Sequence, residues 1–289
     1  MNGENVTIGS GTGWSYDNTF LTIEADDATV TGVSSNENVS LYVNAGVTTL
    51  TIKDLTLINT EYTIVPPLAL GWGSSCTLTL EGTNTLTAGW TCTGLTVSRS
   101  SLVIDGDGWL YVTAGRGAAA IGSISEVNCG TLVISNGVIR AIREEDGTDA
   151  SWIGYGAGAD GSSGSISIYG GTLFFEGTAT NGHAIAASST CIRGGSVNTE
   201  FSKVSPSPRP DSSITTYVYP ARLPAAAANS AVDIDVVMPS GYTGYTYGTQ
   251  GMVSDDDGYV TIWLPRGSVI VELDGKSYNV AVDGNGNAT

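Results

Sequence analysis

Few residues in this chain have the types and spacing that chemistry needs. Hydrolysis of a sugar linkage calls for two carboxylates, one held as the acid and one ionised. Asp105 and Asp107, which flank Gly106, are the nearest match. Asp-Gly corners recur along the chain, however, and turn geometry alone accounts for this pair. Lyase chemistry asks for an Arg or Lys base beside acidic Ca²⁺ ligands. Arg140 and Arg143 lie close in sequence to Glu144, Glu145, Asp146 and Asp149. That loop is a candidate for Ca²⁺ or an anionic sugar, and a solvated mixed-charge loop is the plainer reading. His183, the only histidine, has no recognisable Ser, Cys or metal partner. Cys76, Cys92, Cys129 and Cys191 lack metal-ligand spacing and read as small apolar residues or a stray disulfide. The sequence therefore assembles no catalytic set, and its balance leans away from an enzyme.

Aromatic residues are the better binding candidates. Trp72 lies in Gly71-Trp72-Gly73, Tyr155 in Gly154-Tyr155-Gly156, and Trp152 just before the latter. Rings in exposed glycine corners offer flat apolar faces to sugars, with Asp146 and Asp149 near enough in sequence to meet hydroxyls. The competing reading has these rings shielding gaps in the fold. Trp14, Tyr16 and Trp90 add to the binding face or pack over the ends. Tyr242, Tyr245 and Tyr247 read as loop packing, and Asp255-Asp256-Asp257-Gly258 reads as a hairpin turn and not a calcium loop.

A repeat must position these residues. Six times the chain writes an apolar-polar-apolar triplet, a polar or glycine corner, and a second such strand. First strands begin at Leu21, Leu50, Leu78, Leu102, Leu132 and Ile166, giving steps of 29, 28, 24, 30 and 34. Corners such as Lys53-Asp54, Glu81-Gly82, Asp105-Gly106 and Asn136-Gly137 follow. A third strand closes each unit, at Leu41–Val43, Leu68–Leu70, Leu95–Val97, Ala120-Ile121, Trp152-Ile153 and Ala184-Ile185. Three short strands per unit predict an all-β fold: a right-handed single-stranded parallel β-helix, each coil stacked on the last. An antiparallel sandwich predicts hairpins and no such period. The β-helix is expected over residues 1–203. A stiff connector follows over 204–211, with three prolines at 206, 208 and 210. A small antiparallel β-module over 212–289, sandwich-like or capping, completes the chain.

Composition limits the partners. The 289 residues carry 28 acidic and 11 basic side chains, a net charge of −17. The excess is spread along the chain, and such a surface repels phosphate backbones and anionic head groups. Nucleic-acid and membrane-surface roles are therefore not expected, and no apolar run reaches spanning length. No basic segment followed by an apolar one opens the sequence, so the chain is expected to be a trimmed piece of a longer exported protein. It is expected to act as a monomer.

The units Leu78-Thr79-Leu80-Glu81-Gly82-Thr83-Asn84-Thr85-Leu86-Thr87 and Leu102-Val103-Ile104-Asp105-Gly106 resemble repeats of large surface proteins of gut bacteria. Ala118-Ala119-Ala120-Ile121-Gly122 and Val253-Ser254-Asp255-Asp256-Asp257-Gly258-Tyr259-Val260 are similar too. That resemblance implies parallel β-helix repeats and a carbohydrate-binding or adhesin-like role, outside the cell or on its surface. It carries no ligand-binding residue across. A polysaccharide lyase or glycoside hydrolase and a structural spacer are the competing functions.

Overall fold

Thr, Val, Ile and Leu in period-two alternation make strands, and nearly the whole chain is β. A computed structural model describes residues 9–35, 38–59, 64–144, 147–179, 181–211, 213–242 and 245–283. Two large sheets of ten and twelve strands, together forming a curled and mainly parallel array, hold the first two-thirds. Their strands fall into three columns. The first runs from the start of Ala28–Ser35 through the start of Thr49–Ile58 to Ser75–Glu81, Ser101–Gly106, Thr131–Ile134, Ser165–Ile168 and Ser189–Ile192. The second runs from the end of Thr49–Ile58 through Thr83–Thr87, Trp109–Thr113, Val138–Ile142 and Thr172–Glu176 to Ser196–Val197. The third runs from Phe20–Ile23 to Val204–Ser205.

Register explains the core. Along the first column Leu50, Leu78, Ile104, Ile134, Ile168 and Ile192 stand opposite one another in turn, all buried. The third column does the same with Leu41, Leu68, Leu95, Ile121, Ile153 and Ile185. At about 25 cal/mol per Å² of apolar surface, such ladders dominate stability. Corners between the first two columns hold left-handed backbone at Asp54 and at Gly82, Gly106, Gly137, Gly171 and Gly195. Stacking leaves no room there: a β-carbon on Gly171 would lie 2.5 Å from the Gly137 carbonyl oxygen, and one on Gly195 2.7 Å from that of Gly171.

In the second column one inward ladder breaks the apolar rule at Asn84. Leu110, Ile139, Leu173 and Val197 follow one another inward along the second column, and Asn84 stands opposite Leu110. Its fully buried amide accepts from Leu55 N at 3.0 Å and donates to Glu81 O at 3.1 Å and Trp109 O at 3.2 Å. One side chain thus ties three successive units together, and all its contacts are satisfied by backbone.

Three sequence expectations need correction. Leu21–Ile23 belongs to the third column, paired with Leu41–Val43, and the first column opens instead at Ala28. Leu102 faces Cys76, and Leu78 faces Ile104, a two-residue slip from the expected alignment. Such a slip keeps the same side chains facing inward, so alternation alone does not detect it. Pairing also runs past residue 203, since Val204–Ser205 joins Ile185–Ala186 in the third column.

Both ends of the array carry other structure. Trp14, buried, lies on antiparallel strands Gly9–Gly11 and Trp14–Tyr16 ahead of Phe20–Ile23. At the far end, Val218–Pro224 pairs antiparallel with Tyr259–Pro265, and Ile234–Val237, Gly267–Leu273 and Lys276–Val282 form a second antiparallel sheet. Val218–Pro224, with prolines at 220 and 224, was not expected as a strand. Trp263 is fully buried in the main core and donates through Nε1 to Val197 O at 3.0 Å, while Thr261 N donates to Ser196 Oγ at 3.0 Å. These contacts cover the last second-column strand, whose edge is otherwise open to pairing.

Candidate functional site

The expected site residues separate. Trp72 is 74% exposed on a corner after the third column. Trp152, expected on the surface, is only 7% exposed, and its Nε1 donates to Glu176 O at 2.7 Å. Tyr155 is half-buried, and its hydroxyl is shared between Gly161 O at 3.0 Å and Ser163 O at 2.9 Å. Burial pushes that hydroxyl up to about 12, helped by the nearby Cys129 and Asp160. Trp152 packs into the fold and presents no open face, whereas Tyr155 keeps part of its ring exposed with its hydroxyl tied to its own loop. Asp149 is exposed and accepts from Gly158 N at 3.1 Å, and Asp146 lies outside the described residues.

The charged loop near Arg140 also divides. Arg140 projects from the second column between Trp109 and Phe174, 4.3 Å from the Phe174 ring, and pairs with Glu176 and Asp256. Arg143 is buried beneath the loop, donating to Ala150 O and, at 3.1 Å, to Thr148 Oγ1. Glu144 accepts from Thr178 Oγ1 at 2.8 Å. Among the described residues no three His, Cys, Asp or Glu side chains converge on a metal-sized site. Asp255 closes its turn by accepting from Asp257 N and Tyr259 N, and Arg222 pairs with Asp255 and Asp257. All four cysteines are free thiols, and burial raises Cys76 to about 11 and Cys129 to about 12. A thiol so raised is a poor nucleophile at neutral pH.

What the structure brings together is a groove on the outer side of the third column. Its volume is about 480 Å³, and Ile64, Pro66, Trp72, Ile124 and Val127 form its apolar walls. Thr91, Thr93, Thr96, Ser98 and Arg99 add hydroxyls and one cation. Ile64 is 81% exposed, far more open than a core residue of its type. The Arg99 guanidinium lies 4.7 Å from the centre of the Trp72 ring. Arg99 stands four residues after Leu95, as Trp72 stands four after its partner Leu68, so one corner position in successive units supplies both. That shared spacing is the signal by which the sequence marks Arg99.

Backbone strain gathers at the same place. Among the described residues, eight other than glycine have left-handed φ. Five of them are Asn or Asp, which tolerate that region. The other three are Thr91 at φ 56°, Arg99 at 57° and Glu126 at 62°. Thr91 and Arg99 line the groove, and Glu126 lies between its wall residues Ile124 and Val127. Costly backbone of this kind concentrates where a site demands it.

Against protein families, curated proteins and solved structures, the chain finds no match. No described helix is long and apolar enough to cross a membrane.

Proposed function

We propose that this chain is a non-catalytic module of a secreted or cell-surface protein, binding carbohydrate in the groove between Trp72, Arg99 and Ile124. The observation that carries this reading is the exposed Trp72 indole on the wall of a groove that mixes apolar faces with hydroxyls. Sugar rings present C–H faces that pack on such a ring and hydroxyls that meet Thr and Ser. Among the described residues lining the groove there is neither a carboxylate nor an imidazole, which supports holding a glycan over cleaving one. The resemblance to repeat proteins of bacterial surfaces points the same way.

The same proposal takes the parallel array as a right-handed β-helix. Its support is the pairing of each strand with its counterpart one unit on, from Ala28 with Leu50 to Ile166 with Thr190, in three columns. A scaffold of this kind presents successive corners on one face, where binding residues collect.

The test is a glycan array probed with the purified chain, with calcium and again with chelator. One glycan class is expected to bind, calcium is expected to be dispensable, and Trp72→Ala is expected to weaken binding about 10-fold, as for loss of one stacking ring. A blank array from a folded chain overturns the carbohydrate reading.

A further inference from the structure

We infer that the glycan held in this groove carries a carboxylate, and that the Arg99 guanidinium is the group that reads it. The inference rests on the carbohydrate reading above and specifies its ligand.

Among the described residues four cations of this acidic protein pair with a carboxylate. Lys53 pairs with Glu81 at 3.0 Å, Arg193 with Asp211 at 3.6 Å, and Arg222 with Asp255 and Asp257 at 3.0 and 3.1 Å. Arg140 is held by Glu176. The Arg99 guanidinium, like those of Arg116, Arg209 and Arg266, meets no carboxylate among the described residues, and of these four it alone lines the groove. It lies instead against the Trp72 ring, at 4.7 Å. Stacking engages the face of the guanidinium and leaves its in-plane N–H donors for a ligand, in the fork that matches a carboxylate.

The backbone adds weight to the side chain. At φ 57° position 99 would be occupied without strain by glycine or asparagine, yet it holds arginine. Its backbone carbonyl accepts from Gly73 N at 3.1 Å, a bond that glycine would make equally, so what arginine adds at this position is a guanidinium on the exposed Trp72 ring. Trp72 and Arg99 then read one sugar residue together, the ring supplying a platform and the guanidinium a partner for the acid.

The net charge of −17 selects among acidic ligands. At physiological ionic strength charges more than about 8 Å away are largely screened, so a single sugar carboxylate feels Arg99 first. A densely charged polyanion would meet the acidic surface along its whole length. Two sources supply an isolated sugar carboxylate, a uronic acid within a polysaccharide or a sialic acid at the end of a glycan.

The experiment titrates the chain by calorimetry with two probe pairs at moderate salt. One pair is an otherwise neutral oligosaccharide bearing a single uronic acid and its carboxyl-reduced form, and the other is a sialylated glycan and its desialylated form. One acidic probe is expected to bind about 10- to 100-fold more tightly than its neutral partner, as for a charge-assisted hydrogen-bonded pair. Arg99→Gly, which keeps the left-handed backbone, is expected to abolish that preference. Arg99→Lys is expected to retain only part of it, and Trp72→Ala to weaken acidic and neutral forms alike. Equal, Trp72-dependent binding of acidic and neutral probes overturns this inference and leaves the carbohydrate reading standing. An acid preference that survives Arg99→Gly overturns the role of Arg99. Failure of every probe, acidic and neutral, on a folded chain removes both.

Discussion

Replacing Thr91 and Glu126 together by glycine is expected to make this protein more stable and a weaker binder. An L-residue held in the left-handed region costs about 1–2 kcal/mol. Glycine relieves that cost but gives back about 0.5–1 kcal/mol through its greater freedom in the unfolded chain. The net gain is then about 0.5–1 kcal/mol at each position, or about 1–2 kcal/mol for the pair. Little is lost against this. The Glu126 backbone N–H donates to Ala157 O at 2.7 Å, a bond that glycine keeps, and Thr91 is exposed. In a chain of this size each kcal/mol moves the midpoint by about 2–4 °C, so thermal unfolding is expected to rise by a few degrees. Differential scanning calorimetry measures it, and affinity for whichever glycan the array identifies is measured beside it. Gain in stability with loss of binding is the signature of strain retained for function. A midpoint that stays or falls would show that the two side chains stabilise the fold, and strain would no longer mark the groove.

Two further outcomes follow from the scaffold. Asn84→Ala strips three hydrogen bonds from a buried position and leaves the Leu55 N–H unsatisfied, so denaturant unfolding is expected to show a loss of about 3–5 kcal/mol; a loss under 1 kcal/mol would mean that water or neighbouring backbone replaces the amide. Tyr155, raised to about 12 chiefly by burial, favours its neutral form in the folded state. Its contribution is complete below the ordinary tyrosine value of about 10 and is lost as pH rises through about 12. Burial also raises Tyr245 and Tyr247, so near-ultraviolet titration is expected to show several late-ionising tyrosines and one fewer in Tyr155→Phe, and an unchanged curve would contradict the burial of Tyr155.

Much of the scaffold was legible because its apolar triplets repeat, and the third-column strands at Leu41, Leu68, Leu95, Ile121, Ile153 and Ile185 pair where the triplets place them. The identity of each column was less legible, because all three columns use the same triplet; Leu21–Ile23 was assigned to the wrong one for that reason. The site was harder still. A glycine corner marks exposure equally for Trp72 and for the region of Trp152 and Tyr155, but whether a ring faces solvent depends on what the next unit stacks over it. Trp152 finds a backbone acceptor at Glu176, from the following second-column strand, and is covered. Among the described residues Trp72 meets the Arg99 guanidinium and stays open. Arg99 itself gave no local motif, and only the register of Leu68 with Leu95 places it beside the ring.

The pairing of each strand with its counterpart one unit later has a consequence for how the chain assembles. Successive partners such as Leu50 and Leu78, or Leu132 and Ile166, are separated by 28 and 34 positions in a chain of 289. No strand of the array waits for a distant partner, so loop closure stays cheap at every step. A chain delivered from its N-terminus can lay each unit on the one before, growing at a single moving edge. That edge stays adhesive until Trp263 arrives to seal it at Val197. Residues made after the array are therefore the ones that end its growth, and a chain cut before them would keep an open template for other chains.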